Sequence, residues 1–102
     1  MWIDNNIPDI DSPHDMAKLA TCLSMYELAY QLALLKKMIM DGNAADIQTE
    51  SDNVVKAMVH LTSSFSENIH SYNNGCEYHY DLHIAMHVMS EALKYVKIAD
   101  AM

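Results

Sequence analysis

Apolar residues recur along this chain at helical spacing, in three long stretches separated by two short breaks. In the first stretch Leu19, Leu23, Tyr30, Leu34 and Met38 fall on one side of a helix. Met25, Leu28, Leu32, Leu35 and Ile39 fall on another, so this helix is apolar nearly all round. Ser12-Pro13-His14-Asp15 marks its start: Ser12 caps the open amides, Pro13 sits where its missing N–H costs nothing, and Asp15 completes the box. The helix is expected over 13–41, ending at Gly42, which accepts the left-handed conformation of a helix stop.

The second helix is expected over 46–72, starting between Ala44 and Glu50, with Asn43 as an early cap or Thr49 and Asp52 as a later one. Its core stripe reads Ile47, Val54, Met58, Leu61, Phe65 and Tyr72, joined by Val55, Val59 and Ile69. Lys56, His60, Ser63 and Glu67 mark the wet side, and Thr62-Ser63-Ser64 lowers helix propensity enough to allow a bend. Asn73-Asn74-Gly75 closes this helix, and Asn74 with Glu77 opens the third, expected over 76–101.

The third helix carries two apolar stripes. Tyr78, Leu82, Met86, Met89, Leu93 and Val96 form the one expected to face the core; Ile84, Val88, Tyr95, Ile98 and Met102 form the other. Together they cover roughly 200°, whereas a helix packed on one side needs little more than about 100°. The surplus calls for a partner, and Ile84, Val88, Tyr95, Ile98 and Met102, with Tyr78, Tyr80 and Trp2, are the candidate interface residues.

Short connections make consecutive helices antiparallel neighbours. The expectation is an all-α, up-down-up three-helix bundle forming one domain over 12–102, preceded by an extended arm, 1–11, and completed by dimerisation. Trp2, Ile3, Ile7 and Ile10 suit the arm to docking on the body or on a second subunit.

Composition narrows the function. In 102 residues only two glycines and two prolines interrupt the helical pattern. Acids outnumber bases 14 to 6, giving a formal charge of −8, and every base is lysine. Without arginine, the residue best shaped for phosphate and guanine, and with that charge, nucleic-acid binding is not expected. The charge favours a larger protein with a basic surface. Asp4, Asp9 and Asp11 on the arm, and Asp41, Asp46, Glu50 and Asp52 around the first turn, are the candidate acidic patches. Cys22 and Cys76 make no disulfide framework, and the start lacks a secretory pattern. Lys36 and Lys37 break the most hydrophobic run, so neither a membrane span nor any compartment but the cytoplasm is expected.

Two patterns suggest chemistry. Cys76, His79, His83 and His87 form a ladder of zinc-ligand types at helical spacing, but no second cluster completes it. The three histidines share a sector with Ser90, Lys94 and Lys97, as a solvated edge does. Glu67 and His70 supply only one Glu-x-x-His element where a di-iron bundle needs two. Glu27, between Leu23 and Tyr30 on an apolar side, would sit in a perturbed environment if buried, but the expectation is that it meets a hydroxyl, a lysine or water at an interface. No phosphate loop or nucleophile elbow is present, so no catalytic residue and no cofactor are assigned.

In size, acidity and helix content the chain resembles small phage-encoded inhibitors of bacterial defence systems. The resemblance is one of class, carried by no motif, and implies inhibition of a larger protein without assigning residues. The function expected is a small acidic, non-enzymatic, self-associating protein-binding module. The alternative is a metal-binding or metal-sensing bundle holding zinc on the Cys/His ladder.

Overall fold

The computed structural model describes residues 13–68 and 75–102, with side chains described for 19–43, 45–67 and 79–102. They form three helices, α1 (Pro13–Asp41), α2 (Ala44–Asn68) and α3 (Gly75–Asp100), arranged as an all-α bundle. α1 has the expected bounds, and α2 takes the earlier of its two possible starts. The expected end at 72, the arm with Trp2, Asp4, Asp9 and Asp11, and the Ser12 cap lie outside the described residues.

The turn between α1 and α2 is set by backbone chemistry. Gly42 has φ +69°, its amide donates to the Ile39 carbonyl at 3.2 Å, and the Asn43 amide donates to the Met38 carbonyl at 3.0 Å. These two bonds are the Schellman pair that satisfies the last carbonyls of a helix. The reversal follows within two residues, so α2 must run back along α1.

Cross-helix pairs fix the directions. Ser24 meets Ser64 and Glu27 meets His60, so α1 and α2 are antiparallel. Thr62 reaches the Met89 sulfur, while Ile47 and Gln48 lie level with Ala99 and Met102, so α2 and α3 are antiparallel too. α1 and α3 are parallel, with Cys22 beside Asp81 at one level and Lys36 beside Glu91 further along.

The core is Leu28, Leu32 and Leu35 of α1, Ile47, Val54, Ala57, Leu61 and Phe65 of α2, and Ala85, Ala92, Val96 and Ala99 of α3. Two buried hydroxyl residues, Thr21 and Ser51, share it. Ser24 Oγ donates to the Ala20 carbonyl at 3.1 Å, which uses its one proton, so Ser64 is the donor in the 2.8 Å bond between the two serines. The Thr62 hydroxyl turns back to the Met58 carbonyl at 2.9 Å, and α2 passes through the Thr62-Ser63-Ser64 run as one continuous helix.

α3 does not present the expected stripe to the core. Its inward face is a seam of small side chains, Ala85, Ala92 and Ala99, with Val96. Leu82 and Met89 are half-buried on one shoulder, whereas Met86 and Leu93 of the same stripe are 55% and 47% exposed. Two apolar stripes of similar weight flank a line of alanines, and the flat side fits closest to α1 and α2. The two stripes therefore straddle the contact, and of their residues only Val96 joins the alanines in the buried core.

Two further expectations are corrected. Val55 and Val59 do not join the core of α2; they are 44% and 58% exposed on the shoulder facing α3. Glu50 is no part of a surface acidic patch, since it is 6% exposed and its Oε2 atom has no hydrogen-bond partner among the described residues. It falls between Ile47 and Val54 on the helix face that packs against α1, and the register carries it inside. Glu27 lies at the open edge of the α1–α2 contact, where its carboxylate stands 3.5 Å from Nδ1 of the exposed His60.

Candidate functional site

A narrow alanine seam at the contact leaves both flanks of α3 as open, apolar-walled grooves. Between α1 and α3 a groove of about 340 Å³ is lined by Cys22, Met25, Tyr26, Ala29, Asp81, Ile84 and Val88. Ala29 and Val88 also line the adjoining space of about 270 Å³ that reaches Lys36, His87 and Glu91. Between α2 and α3 a groove of about 400 Å³ has Val55, Met58, Val59 and Thr62 on one wall and Met89, Leu93 and Val96 on the other.

The stripe singled out for an interface lies along the α1 side. Ile84, Ile98 and Met102 are exposed, while Val88 and Tyr95 are half-buried against α1. Tyr95 is claimed by the bundle itself: the Lys36 ammonium lies 4.8 Å and that of Lys94 5.6 Å from the centre of its ring. Tyr80, one turn before Ile84, is 69% exposed, as is Tyr26 across the groove. Tyr26 on this wall, and Val55, Val59, Met86 and Leu93 on the other flank, are exposed apolar residues beyond the expected interface set. Tyr30 and Leu23 also stand exposed, along the outer side of α1. The spacing of Tyr26 and Tyr30, on the side of α1 away from Leu28 and Leu35, is the signal that locates them.

His79, His83 and His87 stand exposed in one sector with Ser90, Lys94 and Lys97. The Cys76 and Tyr78 side chains lie outside the described set. Among the described residues no three His, Cys, Asp or Glu side chains gather around a metal-sized centre. Asp41, Asp46 and Asp52 are exposed at the α1–α2 turn end. Among the described residues no helix is long and apolar enough to cross a membrane.

One Ser/His/Glu grouping does form, at the edge between α1 and α2. Glu27 pairs with His60, and one turn away on each helix Ser24 pairs with Ser64. Both serine hydroxyls are spent on each other and on the Ala20 carbonyl, and neither bonds the imidazole. A nucleophile needs its hydroxyl aimed at the base and a set of donors for the developing oxyanion. Here the four side chains bridge two helices.

No family model, no curated protein and no solved structure matches this chain.

Proposed function

We propose that this chain is a small, acidic, non-enzymatic module that associates with itself and binds a larger protein, whose activity it modulates by inhibition. The single observation that carries the reading is the apolar and aromatic surface open along both flanks of α3. The groove between α1 and α3 suits the larger partner. Tyr26 and Tyr80 offer amphipathic rings of the kind enriched at binding hot spots, and Ile84 gives an apolar centre beside them. Asp81 and Glu91 line the same groove, and with a net charge of −8 they favour a basic surface opposite. The resemblance in class to phage-encoded inhibitors of host defence agrees with this chemistry and suggests where to look for the partner.

The test is affinity capture from the native host with wild type, Ile84→Glu and Val59→Glu, followed by calorimetry with the purified partner. A protein retained by wild type and Val59→Glu but lost with Ile84→Glu supports the reading. Equal capture by all three variants, or none, defeats it.

A further inference from the structure

We propose that the groove between α2 and α3 is where a second copy of this chain packs, so that the α2–α3 layers of two molecules close into a four-helix interface. The proposal rests on the self-association part of the function above and assigns it a surface, an occupant and a register.

The first argument is area. Val55, Val59, Met86 and Leu93 are 44%, 58%, 55% and 47% exposed. With the half-buried Met58 and Met89 they leave roughly 400 Å² of apolar surface open, at the upper end of what single chains expose as one patch. Homodimer interfaces are about 65% apolar, so this centre with its polar rim makes roughly 600 Å² per subunit, or about 1,200 Å² in all. That lies within the standard class for a specific complex. The patch is also the right shape, since it runs along two antiparallel helices as a shallow trough that a matching trough can fill.

The second argument is charge. Asp52 lies three and seven residues before Val55 and Val59 on the outward side of α2, and Lys97 lies one turn after Leu93 on α3. Thr62 against Met89, and Ile47 level with Ala99, place Asp52 and Lys97 at nearly the same height in the bundle. A two-fold axis parallel to the helices preserves height and sets α2 of one copy over α3 of the other. Asp52 then faces Lys97 of the second copy, twice over, and Val59 faces Leu93 of the second copy. The face is thus self-complementary in apolar content and, at Asp52 and Lys97, in sign, as a two-fold interface requires, while the exposed Lys56 and Lys94 come level with each other further out, on its rim. Exposed ion pairs are individually weak, and these two set register more than affinity.

The test is the oligomeric state of the full chain by sedimentation velocity and native mass spectrometry. Wild type is expected to be a dimer in the micromolar range. Val59→Glu and Leu93→Glu are each expected to be monomeric with unchanged helical circular dichroism, which separates loss of interface from loss of fold. Asp52→Lys is expected to weaken the dimer several-fold, and adding Lys97→Asp to restore it. Wild type that stays monomeric at roughly 100 μM, where even a micromolar complex is formed, overturns the proposal. So does a dimer that survives both glutamate variants, or one that Ile84→Glu dissolves instead. Loss of the larger partner on Ile84→Glu alongside a monomeric wild type sinks this inference and leaves the binding function standing. A dimer that behaves as described, with no partner sensitive to Ile84→Glu, does the reverse.

Discussion

The Lys36 ammonium sits 4.8 Å from the centre of the Tyr95 ring and 3.9 Å from the Glu91 carboxylate, and so ties α1 to the shoulder of α3. The contact closes one stretch of the α1–α3 flank while leaving Ile84 and Tyr80 open further along. Lys36 and Glu91 are about equally exposed, which limits the worth of their pair. Lys36→Ala is expected to cost less than about 1 kcal/mol, and less still in high salt. Tyr95→Ala removes the ring itself and is expected to cost more, about 1–3 kcal/mol, with little salt dependence. Urea denaturation at two ionic strengths separates the two variants.

Gly42 at φ +69° closes the turn that makes α1 and α2 antiparallel. Nothing among the described residues lies within 4 Å of where its Cβ would stand, so against these a substitution meets backbone strain alone. Gly42→Ala is expected to destabilise the bundle by about 1 kcal/mol, and Gly42→Asn by less, because asparagine tolerates the left-handed region. Thermal melts of the two variants give the ranking.

Glu50 is buried with one carboxylate oxygen unpartnered among the described residues. Replacing a desolvated, incompletely paired carboxylate by a side chain of similar length and no charge removes a cost without emptying the site. Glu50→Met is expected to stabilise by on the order of 1 kcal/mol. A shift of the urea midpoint to lower concentration refutes this.

Ala92 is fully buried at the centre of the α3 seam, and Val59 stands open on the neighbouring shoulder. Ala92→Leu is expected to cost about 1–3 kcal/mol by forcing α3 outward. Val59→Leu is expected to change stability by no more than about 0.5 kcal/mol. Denaturation of the pair at a concentration low enough to keep the chain monomeric makes the comparison.

Helix class, number and the first helix stop were legible because they depend on local chemistry: few breakers, 3.6-residue periodicity and a glycine placed for a Schellman turn. The inward face of α3 was not legible. Periodicity weighs side chains by hydrophobicity, and Ala85, Ala92 and Ala99 weigh less than the Met, Leu, Ile and Tyr residues flanking them. Which face turns inward is decided by how closely two backbones approach, and small residues win that contest while showing no peak in the pattern. Val55 and Val59 failed for a related reason, since a broad apolar arc has no marked edge. Glu50 was legible in principle: it occupies the turn between Ile47 and Val54, and a stripe that skips one turn without changing register points to a buried polar residue. The exposure of α3 residues was partly legible, since Ile84 and Tyr80 follow from helical angle, whereas the cover over Tyr95 depends on Lys36, 59 positions earlier in the sequence.

The alanine seam has a consequence for how this protein can change over time. Each seam methyl contributes about 0.8 kcal/mol on burial, against about 1.5–3 kcal/mol for each core leucine of α1, so α3 is positioned more by shape than by strength of attachment. Positions 85, 92 and 99 are a fixed spine that admits almost no replacement. The shoulders on either side are free of that restriction, because their side chains reach outward past the contact. Residues there can be exchanged one at a time, altering the surface of each groove while the helix stays where it is. Both margins of α3 can thus be rewritten without refolding the molecule.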